Sequence, residues 1–79
     1  MATFRKKPVT VEAVQWNGTN LGEVQHFAGG GVEIDHGILK VFTDSGPVLA
    51  SFGDWIIKGT KNEIYPCKPE VFAEIYEAA

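Results

Sequence analysis

Apolar and polar side chains alternate from Val9 to Trp16, with Val9, Val11 and Ala13 on one face and Val14 and Trp16 on the other. The alternation, with β-branched residues at 9, 10, 11 and 14, predicts a strand over 9–16. Asn17-Gly18 is a turn signal. Thr19-Asn20 then supplies helix N-cap residues ahead of Leu21, Val24 and Phe27, whose spacing of three makes one apolar stripe, so a short helix is expected over 20–28. Gly29-Gly30-Gly31 ends it, because each glycine costs a helix interior about 1 kcal/mol relative to alanine.

Val32 to Ile34 and Ile38 to Thr43 are two short strand patterns around an Asp35-His36-Gly37 turn, and Asp44-Ser45-Gly46-Pro47 is the next turn. Val48 to Phe52 and Trp55 to Lys58, broken at Gly53-Asp54, continue the antiparallel pattern; Gly59 to Asn62 then turns into Glu63-Ile64-Tyr65. Pro66 and Pro69 are expected to interrupt the sheet. Pro69-Glu70 suits the first turn of a helix carrying Phe72, Ile75 and Tyr76, with a return to strand as the alternative. The expected architecture is one α+β domain over 1–79. It has a curved antiparallel sheet of about five strands, one helix between the first two, and a short helix or turn after Tyr65. No internal repeat or linker interrupts it.

A chain of 79 residues buries only about 60 to 65% of the surface its unfolded form exposes, so the core is thin and oligomerisation is the natural supplement. Hydrophobic content of 44% with 22% charged residues places it among folded globular proteins. A formal charge of -3 argues against duplex nucleic acid as partner, because that affinity rests on many Lys and Arg contacts to phosphate, but leaves a small anionic ligand open. Charge is segregated: Arg5, Lys6 and Lys7 lie near the start, Glu70, Glu74 and Glu77 near the end. A single cysteine and the absence of any long apolar run point to a cytoplasmic, unprocessed protein with no membrane partner.

Catalytic and metal patterns are weak. The triple glycine leaves a helix rather than opening one and lacks the following Lys and Ser or Thr of a phosphate loop. Cys67 with His26 or His36 would make a thiol nucleophile and its base only if they met in space; Cys67, between two prolines, reads better as a packed residue. One Cys and two separated His do not make a zinc cluster. Asp54 is the one candidate acid, and in Gly53-Asp54-Trp55 its carboxylate is expected to accept backbone hydrogen bonds in a tight turn. Aromatic and cationic residues suggest more. Trp16, Trp55, Tyr65 and Tyr76 offer flat faces, and Arg5, Lys6, Lys7, Lys58 and Lys68 offer cations, a set suited to bases and phosphates. Each tryptophan stays open between stacking face and core.

At "RKKPVTVEAVQW", "GDWIIKG" and "YPCKPEVF" the chain resembles, over nearly its whole length, a large family of short phage-encoded and prophage-encoded proteins. The resemblance is weakest across "AGGGVEIDHGILKVFTDSG". It implies origin more firmly than activity. Small non-enzymatic phage proteins of this kind include oligomeric sponges that sequester nucleotide signals of bacterial immunity, such as anti-CBASS and anti-Thoeris proteins. The leading expectation is therefore a homo-oligomer, without cofactor or catalysis, that captures a cyclic nucleotide in the host cytoplasm. Arg5, Lys6, Lys7 and Lys68 would hold phosphates, Trp16, Trp55 or Tyr65 would stack on bases, and Pro8 would limit the arm's freedom. Two rivals differ in class: a protein that blocks a host protein through a strand edge or apolar patch, and a small enzyme using Asp54 or Cys67.

Overall fold

The computed structural model describes residues 1–4 and 9–78. The expected phosphate-binding residues Arg5, Lys6 and Lys7, with Pro8, lie outside them. In chain order the elements are β1 (Glu12–Gln15), α1 (Leu21–Ala28), β2 (Val32–Asp35), β3 (Ile38–Thr43), β4 (Gly46–Ala50), β5 (Trp55–Lys58), β6 (Ile64–Cys67) and α2 (Pro69–Ile75). The strands form two antiparallel sheets of three, ordered β1-β5-β6 and β2-β3-β4.

The α+β class stands, but the single curved sheet of about five strands is replaced by two sheets. The division lies at Ser51–Asp54. Asp54 N–H donates to Ser51 C=O at 3.0 Å, and Gly53 at the third position has φ 90°, the geometry of a type II turn. The turn delivers β5 to Trp16 instead of back along β4: Trp16 N–H donates to Asp54 C=O at 2.9 Å, and Gly53 N–H donates to Trp16 C=O at 2.7 Å. β5 therefore pairs with β1, with Gln15 opposite Trp55 and Glu12 opposite Lys58.

Between the sheets, Trp16, Val24, Val32, Leu39, Val41, Ala50 and Ile56 form the buried core, flanked by Val14, Leu21, Phe27, Ala28 and Ile64. α1 contributes Val24 from its apolar stripe and stops at a Schellman cap: Gly30 N–H reaches Gln25 C=O at 3.1 Å and Gly29 N–H reaches His26 C=O at 3.3 Å, with Gly29 left-handed at φ 62°. The glycine run is thus a helix stop that feeds β2. The β2–β3 hairpin closes on His36 and Gly37, both at positive φ as a type I′ turn requires.

Pro66 does not interrupt the sheet. It lies in β6 opposite Ile56, and β6 is an edge strand of its sheet, the position where a residue without an N–H is tolerated. Lys68 then turns extended, and Pro69 opens α2 at its first turn.

Candidate functional site

Period-two alternation sorts the β1-β5-β6 sheet into two faces. Val14, Trp16, Ile56 and Ile64 look into the main core, and Ala13, Trp55, Ile57 and Tyr65 look toward α2. Two of the expected stacking residues therefore separate. Trp16 is 2% exposed and packs edge-wise near Phe52, with centroids 6.1 Å apart and planes at 59°. It has no face left for a ligand. Trp55 and Tyr65 share the opposite face, where α2 builds an aromatic cluster on them. Phe72 lies parallel to Trp55 at 4.4 Å and 9°, Tyr76 follows Phe72 at 5.1 Å, and the Tyr65 and Tyr76 hydroxyls are 3.5 Å apart. The Tyr76 hydroxyl, and then burial, push the Tyr65 phenol up to about 12.

Lys68 makes an ion pair within the fold. Its ammonium sits 2.9 Å from Asp54 Oδ2, and the same oxygen accepts the Ser51 N–H at 3.0 Å. Asp54 is buried, whereas Lys68 keeps about half its side chain, 53%, in solvent. The Gly53-Asp54 pair thus braces the end of β4, the start of β5 and the entry to α2. Lys58, another cation of the sequence pattern, places its ammonium 4.7 Å from the centre of the Phe27 ring.

The chemistry of the remaining candidates is equally local. Burial first, then the charges of Asp54 and Glu70, push the Cys67 thiol up, which holds it in the protonated form rather than the nucleophilic thiolate. His36 pairs at the surface with its neighbour Asp35 at 2.7 Å, and Lys40 and His36 together hold that carboxyl below its ordinary range. No group of three His, Cys, Asp or Glu side chains is placed to hold a metal among the described residues.

A further candidate site, formed by backbone rather than by side chains, lies along β1. Among the described residues β1 pairs only with β5, so its other side is a sheet edge. Because Trp16 N–H faces Asp54, the alternation of an antiparallel ladder turns the backbone groups of Val14 and Glu12 toward β5 and those of Ala13 and Gln15 outward. The outward Gln15 carbonyl is met by Asn20, whose Nδ2 donates to it at 2.8 Å and to Glu23 Oε1 at 2.7 Å. Asn20, expected as a helix cap, thus ties α1 to β1 and closes one end of the edge. The Ala13 N–H and C=O remain on the open side.

Two grooves flank this edge, one on each face of the sheet. The α2-side groove, about 620 Å³, is walled by Val9, Val11, Ala13, Trp55, Phe72 and Tyr76, with Glu77 at its rim. The α1-side groove, about 490 Å³, is walled by Glu12, Val14, Glu23, His26 and Phe27. The first is apolar and aromatic, the second acidic with an apolar floor. The sequence signal for the first was present in the alternation of Val9, Val11 and Ala13 and in the helical spacing of Phe72 and Tyr76. Joining the two required the tertiary fold.

The chain matches no protein-family model, no curated protein and no solved structure.

Proposed function

We propose that this chain is a non-enzymatic binding protein of phage or prophage origin that captures an extended segment of a host protein along the outer edge of β1. One observation carries the reading: an edge strand presents outward backbone groups at Ala13 between two grooves, one on each sheet face. An added strand gains affinity from main-chain hydrogen bonds, and its alternate side chains enter the two grooves for specificity. The phage origin rests on the resemblance at "RKKPVTVEAVQW", "GDWIIKG" and "YPCKPEVF". No helix among the described residues is long and apolar enough to cross a membrane.

Sequestration of a cyclic nucleotide is the second reading, favoured by the Trp55, Phe72 and Tyr76 rings at the groove whose wall begins at Val9, directly after Arg5, Lys6, Lys7 and Pro8 in sequence. It draws on Trp55 and Tyr65 but not on Trp16, which is core; Lys68, half-exposed, would share its ammonium between the ligand and Asp54.

Ala13→Pro decides between them. It removes an N–H that faces away from β5 and is compatible with an edge position, so the fold persists. The expected result is a stoichiometric host protein recovered with the parent chain and lost with Ala13→Pro, together with no heat of binding across cyclic dinucleotides, cyclic trinucleotides and cyclic ADP-ribose isomers. Recovery that survives the proline would overturn the strand-edge reading. Nucleotide binding that survives it would establish the second.

A further inference from the structure

The two grooves beside β1 differ in chemistry, and the difference selects what can dock between them. On the strand-edge reading above, we infer that the captured host segment runs antiparallel to β1. From its N-terminal to its C-terminal side it carries an apolar residue, a large apolar or aromatic residue, and a Lys or Arg. The pleat that selects these three is fixed over Glu12–Gln15 by pairing with β5.

Backbone phase sets the direction. Asn20 Nδ2 already occupies the Gln15 carbonyl at 2.8 Å, so the outward pair left beside it is the N–H and C=O of Ala13. An antiparallel strand satisfies both groups with one residue placed directly opposite, and its pairing is slightly more stable per residue than the slanted bonds of a parallel strand. Glu12 and Val14 then stand in non-hydrogen-bonded positions, where side chains of neighbouring strands come closest. Recognition is thereby concentrated in three consecutive residues.

The pleat assigns each of the three to a groove. The residue opposite Ala13 shares its face and lies over the α2-side groove, where Trp55 and Phe72 stack at 4.4 Å and Tyr76 continues the wall. The Ala13 methyl fills little of that space, so a large apolar or aromatic side chain is accommodated there. Residues opposite Val14 and Glu12 enter the α1-side groove. The first rests on Val14 and Phe27. The second meets Glu12 and Glu23, two exposed carboxylates against one imidazole, that of His26. Asn20 holds Glu23 Oε1 at 2.7 Å, and Lys58, opposite Glu12 on β5, turns its ammonium to the Phe27 ring, 4.7 Å from the centre. A Lys or Arg in the docked strand extends the row from Lys58 through Glu12 with alternating charge, whereas an acidic residue would stand against like charge.

Titration of the isotope-labelled full chain with the end-blocked peptide Thr-Thr-Val-Phe-Lys-Thr-Thr, followed by nuclear magnetic resonance, tests this assignment. The peptide should shift the Ala13 amide. It should bind about fivefold or more tighter than versions with Glu for Lys, Ser for Phe, or the central three residues reversed. Glu12→Lys should invert the preference between the Lys and Glu peptides, a change that mere loss of structure would not produce. Equal affinity for those two peptides, a reversed peptide that binds as tightly, or an unchanged preference in Glu12→Lys would each overturn the assigned sequence class. So would peptides that all leave Ala13 unmoved while Ala13→Pro still abolishes host capture, because a segment of other chemistry then uses the edge. Host capture that survives Ala13→Pro would remove the strand-edge reading itself.

Discussion

Asp54 Oδ2 stands between two donors, the Lys68 ammonium at 2.9 Å and the Ser51 N–H at 3.0 Å, and so joins three chain segments through one buried oxygen. This bond set explains why Gly53-Asp54 and Lys68-Pro69 behave as parts of one structural unit although 14 residues separate Asp54 from Lys68. The two substitutions at Asp54 should separate the contributions. Asp54→Asn keeps an acceptor for Ser51 and loses only the ion pair with a half-exposed lysine, so it should cost about 0.5 to 1 kcal/mol. Asp54→Ala also leaves the Ser51 N–H without its partner and should cost about 2 to 3 kcal/mol. Urea unfolding of both variants checks the order; equal losses would mean that the ion pair carries the whole effect.

Gly53 and Gly22 should respond in opposite directions to the same change. Gly53 holds φ 90° in the turn that sends β5 to β1, so Gly53→Ala should destabilise by roughly 1 to 2 kcal/mol. Gly22 lies exposed inside α1 with nothing within 4 Å of an added Cβ, so Gly22→Ala should stabilise by about 0.5 to 1 kcal/mol. Thermal melts resolve both, since 1 kcal/mol moves the midpoint of a domain this small by roughly 4 to 8 °C.

The Tyr65–Tyr76 contact sets an alkaline limit on stability. The Tyr65 phenol is pushed up from 10.0 to about 12 in the fold, so the folded state prefers its protonated form. Its contribution is complete below about pH 10, the unfolded value, and is lost as pH rises through about 12. Unfolding free energy measured from pH 8 to 12 should be flat in this respect to pH 10 and then fall. Tyr65→Phe should flatten that fall. An unchanged slope in the variant would place the alkaline transition elsewhere.

Local structure was legible where one residue type dominates one geometry. The stripe of Leu21, Val24 and Phe27 with the glycine stop located α1 to within a residue, and Trp55 to Lys58 matched β5 at both ends. Partner choice among strands was not legible. Val48 to Phe52 and Trp55 to Lys58 read as sequential antiparallel strands, and nothing in their alternation says that the Trp16 backbone will take Gly53 and Asp54. Pro66 misleads for a related reason: it breaks a central strand but not an edge one, and which strands are edges is a property of the whole sheet. Trp16 and Trp55 carry the same aromatic signal, yet they fall on opposite faces of one sheet because their positions differ in parity. The β1 edge joins Ala13 to Phe72 and Tyr76, whose proximity in the groove arises only when α2 packs on that sheet.

Amide hydrogen exchange at Ala13, with Val14 as internal reference, tests the open edge of β1 most directly. In the dilute, monomeric chain the Val14 N–H, turned toward β5, should exchange slowly and the outward Ala13 N–H rapidly. When a captured host segment docks as an added strand, Ala13 exchange should slow by about tenfold or more while Val14 changes little. An Ala13 amide that is already protected in the dilute chain, or one that stays fast in the docked complex, would contradict the proposed edge.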